Sequence, residues 1–190
     1  LITSLRVLGL SCTLFMSGCV TLIAAPAKGP IQTDPGKRSL GGYIDDKQLR
    51  TIVAVNIRKA DPQLSDAHIN VHSYNAVILL TGQVSTPELR ELAGTTARKV
   101  NRVRQVYNEI SVNPKISFGA RTHDNYLHSK IKTKLLLDRD IESGRVEVIV
   151  EDDIVYLMGL MTEVQAERVT DRVRTTKGIK KVVRAIEYIQ

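Results

Sequence analysis

The sequence predicts an α+β protein built from two tandem copies of one small αββαβ unit, each with two helices packed on a three-stranded mixed sheet. Three observations predict it. Residues 69–82 and 146–159 repeat one pattern at a constant offset: an alternating strand, a polar turn, then a nearly continuous apolar strand ending in Gly82 or Gly159. A helix-start signal follows each block, Ser85-x-x-Glu88 in one and Thr162-x-x-Gln165 in the other, both reading as capping boxes. A helical stretch opening on an Asp precedes each block, and an apolar strand closes it.

The elements follow in chain order. Arg6 and the apolar run Val7–Met16, then small residues before Cys19, read as an export signal over residues 1–18, too short to span a bilayer comfortably. Residues 19–43, rich in Pro and Gly, read as a flexible tether. The first unit, 44–113, starts with a helix from about Asp46 to Lys59 that buries Leu49, Ile52, Val53 and Asn56 or Ile57. After the hairpin, Pro87 suits a first helical turn, where its missing N–H does no harm, and Leu89, Leu92, Ala93, Thr96, Ala97 and Val100 recur at helical spacing. Val106, Asn108, Ile110 and Val112 alternate as a last strand. A connector, 114–122, joins it to the second unit, 123–190, and Ile116 and Phe118 there are expected to pack the units together. The second unit repeats the order: a helix from about Asp124 to Leu137 burying Leu127, Ile131 and Leu135, the hairpin, a helix with Ala166, Val169, Val173 and Thr176 inward, and a strand from Ile179 to Tyr188. Glu151-Asp152-Asp153 is the hairpin turn of this unit.

Composition narrows the function classes. The 190 residues carry a net charge of +7, but the second unit is balanced, and the excess is spread over tether and connector. A nucleic-acid binder would concentrate it on one domain, so nucleic acid is not expected as a partner. Glycine-rich nucleotide loops, Cys-x-x-Cys pairs and His-Glu-x-x-His are absent from the sequence. His123 and His128 are five apart and on different helix faces, and His68 and His72 have no acidic ligand fixed nearby, so these four read as surface or interface residues and no metal is expected. No Ser, Thr or Cys has an identifiable base beside it. The expectation is no enzyme and no cofactor. With Cys12 inside the export signal, a single Cys remains after its removal, and no disulfide is expected either.

Met16-Ser17-Gly18-Cys19 resembles the bacterial lipobox, in which the Cys is acylated and becomes the new N-terminus. Val20, where Asp would retain such a protein at the inner membrane, implies the outer membrane. Val77-Ile78-Leu79-Leu80-Thr81-Gly82, Tyr156-Leu157-Met158-Gly159 and Gly178-Ile179-Lys180-Lys181-Val182-Val183, each in its αββαβ setting, resemble the BON domain. Two such domains behind a lipobox resemble the dual-BON outer-membrane lipoproteins of Gram-negative bacteria. The resemblance implies binding of anionic phospholipid (phosphatidylglycerol or cardiolipin), support of envelope integrity and enrichment at the division site. It also implies that the first helix of the second domain faces the membrane.

On that helix Tyr126, Lys130 and Lys134 are spaced i, i+4, i+8 beside the stripe that starts at Leu127, so Tyr126, Leu127, Lys130 and Lys134 are the candidate phospholipid-binding residues. On spacing alone a plain solvated face of Lys130, Lys132 and Lys134, with Tyr126 at its rim, is the favoured explanation, and the resemblance reverses that preference. The family tends to carry Trp where Tyr126 stands, and the smaller ring inserts less. The alternative function is an adaptor for outer-membrane assembly proteins, using Arg98, Lys99, Arg102 and Arg104 or an exposed sheet edge.

Overall fold

The first helix begins earlier than its apolar pattern does. In a computed structural model that describes residue 36 and residues 38–190, α1 runs Leu40–Ala60. The export signal, Cys19 and the tether up to residue 35 lie outside the described residues. Ser39 caps α1, its Oγ accepting from the Gly42 N–H at 3.0 Å. The expected start near Asp46 was late because Leu40, Tyr43 and Ile44 are exposed and form no buried stripe. The buried face is Asp46, Leu49, Val53 and Ile57, whereas Ile52 is exposed. Asp61 then stops α1 and caps a five-residue helix, α2 (Pro62–Asp66), which the sequence reading did not resolve.

β1 (His68–Tyr74) and β2 (Val77–Val84) form an antiparallel hairpin pairing Tyr74 with Val77. Asn75 and Ala76 both take positive φ, 51° and 60°, the two-residue turn whose twist matches the strands. α3 (Pro87–Arg98) follows. Its cap is Thr86 rather than the expected Ser85, with Thr86 Oγ1 accepting from Leu89 N–H at 3.4 Å. Pro87 is the first helical residue, which fixes the cap one residue before it and leaves Glu88 unable to close the box. The last strand is broken into β3 (Gln105–Asn108) and β4 (Ser111–Val112), both parallel to β2.

α4 (Phe118–Leu136) is capped by Ser117, so part of the expected connector is helical. A 3-10 turn at Ser143–Arg145 leads into β5 (Val146–Glu151) and β6 (Ile154–Met161), joined by Asp152 and Asp153 at φ 50° and 61°. α5 (Glu163–Arg174) has the full capping box that Thr162 and Gln165 foretold, with both reciprocal bonds present. β7 (Lys181–Tyr188) lies parallel to β6 along its whole length. Each sheet is mixed, with the second hairpin strand at its centre. Gly82 and Gly159 are required by close approach. A Cβ on Gly82 (φ 114°) would stand 1.9 Å from the His68 carbonyl oxygen, and one on Gly159 2.5 Å from that of Arg145.

Every residue of β2 is buried, which one helical layer cannot explain. Ile78 and Leu80 face α1 and α3, and Leu157 and Val155 face α4 and α5 in the second domain. The alternate residues form a third cluster in which Tyr74, Val77 and Leu79 pack on Ile149, Tyr156, Met158 and Ala185. The two sheets therefore stack face to face. This layer, rather than Ile116, packs the two domains together; Ile116 is half-buried and its N–H donates to Gln83 Oε1 at 3.4 Å, while the Phe118 side chain lies outside what the structure describes. Polar pairs close the rim. Gln83 Nε2 and Asn70 Nδ2 donate to Glu151 at 2.7 and 3.1 Å, and Arg104 makes two bonds to Glu187 at 2.6 and 2.9 Å.

Candidate functional site

α4 carries the candidate site because the helix has two unlike faces. One face is core: Asp124, Leu127, Ile131 and Leu135 are buried, Leu127 at 1 % exposure. Leu127 therefore belongs to the domain interior and not to a contact surface. The other face shows Tyr126 at 60 %, Leu136 at 72 % and Leu137 at 75 % exposure, with Lys130 and Lys132 exposed between them. The Lys130 ammonium sits 5.6 Å from the Tyr126 ring centroid, and the His123 ring lies 6.4 Å away. No exposed carboxylate occurs on this helix, whose one acidic residue, Asp124, is buried.

Lys134 has a different setting. Its ammonium donates to Thr175 Oγ1 at 2.7 Å and Thr176 Oγ1 at 3.2 Å, tying α4 to the end of α5. Desolvation, then the charges of Arg172 and Lys130, pull its pKa below the usual lysine value. Tyr126 and Lys130 thus stay on the outer face, while Leu127 and Lys134 turn to structural tasks. Leu136 and Leu137 were missed in the sequence because apolar residues at a helix end extend the buried stripe on paper. Their exposure depends on where α5 stops covering α4.

The buried Asp124 has a task of its own. Its carboxylate accepts from the Asp152 and Asp153 N–H groups, both at 2.9 Å, and so fixes α4 to the β5–β6 turn. Asp46 does the same in the first domain, accepting from Asn75 N–H at 2.8 Å, Ala76 N–H at 2.9 Å and Ser73 Oγ at 2.8 Å. In the sequence both residues look simply like helix openers.

The arginines proposed for protein contact are mostly engaged. Arg98 pairs with Glu91 at 3.5 Å, Arg102 with Asp45 at 3.0 Å, and Arg104 spans the two domains to Glu187. Lys99 is exposed at the end of α3.

The histidines also differ from expectation. His68 Nε2 stands 3.5 Å from Glu151 of the other domain. His72 is half-buried rather than a plain surface residue: burial, and secondarily the charge of Arg50, lowers its pKa to about 4, and among the described residues its Nε2 has no hydrogen-bond partner. His123 Nδ1 lies 2.7 Å from Asp153. His128 is partly buried, and its pKa is lowered by desolvation and by Lys132. Among the described residues, no group of three or more His, Cys, Asp or Glu could hold a metal ion, and no helix is long and apolar enough to cross a membrane.

Between α1 and α4 lies a groove of about 340 Å³, lined by Arg38, Tyr43, Tyr74, His128, Lys132 and Glu147 among others. The Arg38 guanidinium lies over the rings of Tyr43 and Tyr74, at 4.9 and 4.5 Å, and pairs with Asp46 at 3.2 Å.

Comparison with known proteins adds the family relation. The BON domain model matches residues 45–114 and 123–190. The chain is 35% identical over 184 residues to outer membrane lipoprotein DolP of Haemophilus influenzae, covering 95% of this chain and 93% of that protein. It is 35% identical over 153 residues to a protein of Actinobacillus pleuropneumoniae named 21 kDa hemolysin, covering 80% of this chain and 79% of that one. It is 25% identical over 154 residues to the osmotically-inducible protein Y of Escherichia coli, covering 80% and 76%.

Proposed function

The chain belongs to the BON-domain family, and from that premise we propose that it is an outer-membrane lipoprotein, acylated at Cys19, whose second domain rests on anionic phospholipid. In this reading it faces the periplasm, supports envelope integrity and gathers at the division site. The observation that carries the lipid contact is the outer face of α4, where Tyr126, Leu136 and Leu137 are exposed beside Lys130 and Lys132 with no exposed carboxylate on the helix. Tyr suits the interface between hydrocarbon and water. Each lysine near an anionic surface contributes about 1 kcal/mol, and each inserted leucine about 1.5 kcal/mol or more. The sum is weak binding, which an acyl anchor makes effective by holding the domain at the surface. The name of the Haemophilus influenzae relative supports the outer-membrane placement.

The test is co-sedimentation of the unlipidated chain from residue 20 onward with vesicles containing phosphatidylglycerol or phosphatidylcholine alone. The wild type is expected to pellet with the anionic vesicles, to be released by salt, and to stay soluble when Tyr126→Glu or Leu137→Glu is introduced. Indifference of the wild type to both vesicles would turn the reading to an adaptor for outer-membrane assembly proteins, tethered by its lipid.

A further inference from the structure

We infer that the first two turns of α1 form a second membrane-contacting surface, so that the first domain touches the same anionic bilayer as α4; this rests on the lipid reading above. The observation is a helix end with its apolar residues on the wrong side for a core. Leu40 is 86 % exposed, Ile44 64 % and Tyr43 54 %, at the i, i+3, i+4 spacing of one helix face. Three such residues together on one helix face, more exposed than Ile52, Leu92 and Val112 elsewhere in the domain, call for a partner.

Charge selects the partner. The carboxylates of this helix end are already used. Asp45 is paired with Arg102 at 3.0 Å, and Asp46 is buried under the Asn75–Ala76 turn. Lys47 and Arg50 continue the exposed side one and two turns on; among the described residues neither makes an ion pair within 4 Å, and Glu147, a carboxylate beside them, is shared with Arg38. The surface is thus apolar at its tip, aromatic at its edge and cationic behind, the arrangement that favours an anionic lipid–water boundary.

Position agrees with charge. Cys19 precedes Leu40 by 21 residues in the sequence, so in the lipoprotein reading an acyl group at Cys19 tethers α1 close to the membrane. Tyr43 and Lys132 line the same groove between α1 and α4, so the two helices flank one opening. Two weak contacts on one rigid pair reinforce each other as a bivalent surface.

The sequence has no tryptophan, so a single introduced one reports a single site. Ile44→Trp and Tyr126→Trp are made separately in the chain from residue 19 onward, which holds every described element, with Cys19→Ser to remove acylation. Each is titrated with phosphatidylglycerol–phosphatidylcholine vesicles, with phosphatidylcholine alone, and with brominated lipid as quencher. The expected result is a blue shift and quenching for both variants on anionic vesicles only. Leu40→Asp, added to Tyr126→Trp, is expected to weaken its partition at least about tenfold, the scale of losing one inserted leucine before the repulsion of the new carboxylate is added. If Tyr126→Trp responds and Ile44→Trp keeps its water-exposed emission, the inference fails and the α4 reading stands. If neither responds, both fail. An Ile44→Trp emission already blue-shifted without vesicles also overturns it, since the patch is then covered by the chain's own upstream segment or by a second copy.

Discussion

Asp46 and Asp124 each spend a buried carboxylate on two N–H groups of a left-handed hairpin turn, and this is the interaction that ties the first helix of each domain to its sheet. Those N–H groups point away from the ladder and have no strand partner, so losing the carboxylate leaves them desolvated and unpaired. Asp124→Ala is expected to destabilise the fold by about 2–3 kcal/mol in urea unfolding. An Asp before an apolar periodic run is a sound local sign of a helix start, which is why the sequence suggested that role; the real one depends on a turn some thirty residues on. His72 shows the same limit. Its alternation places it on the β1 face shared with Tyr74, turned to the sister sheet, and burial there holds it neutral down to about pH 4. The folded state binds its proton more weakly than the unfolded chain, so stability drains away as pH falls from 6.5 toward 4. Glu147, whose pKa is raised chiefly by desolvation, acts in the opposite sense and loses stability as pH rises through the carboxylate range. His72→Leu is therefore expected to flatten the acid limb of stability between pH 6.5 and 4 in urea midpoints. An unchanged limb would assign the acid sensitivity to the carboxylates.

At the scale of elements, the parts that repeat were legible and the parts that break the repeat were not. Both hairpins, the capped α5 and the core stripes of α4, α5 and, apart from the exposed Leu92, α3 follow from alternation, helical spacing and turn chemistry, all local to the chain. The starts of α1 and α4 were hidden because their first turns bury little and so lack a stripe. The split of the last strand into β3 and β4 was hidden because Ile110, buried between them, keeps the apolar pattern continuous. Tyr126 and Lys130 were legible as an outer face, but Leu136 and Leu137 were not, since exposure at a helix end is a tertiary fact. Caps offer a clean comparison. Thr86→Ala and Thr162→Ala are each expected to cost about 1 kcal/mol, while Ser85→Ala, though it stands in the sequence pattern, is expected to stay within about 0.5 kcal/mol of wild type by thermal unfolding.

For the whole molecule, the sheet-on-sheet layer makes the two domains one stability unit. Its apolar centre is Leu79, Met158 and their neighbours, and its rim holds the Arg104–Glu187 pair. Arg104 is half exposed, so the pair is expected to contribute about 1 kcal/mol or less. Arg104→Glu should lower the unfolding midpoint slightly, and Glu187→Arg in the same chain should recover part of it. A double-mutant cycle without coupling would make the bridge an incidental surface contact.

The same layer also sets how such domains can be counted. Each sheet packs one face on its own helices and the centre of the other on its sister, so among the described residues the apolar centres of both sheets are used within the pair. This arrangement has parity. A third copy in series would find no vacant sheet to receive it and would carry an oily face into water, whereas a solenoid repeat leaves a receptive surface at each end. Growth by adding a further copy would therefore have to dock through helices or strand edges rather than through these sheet faces.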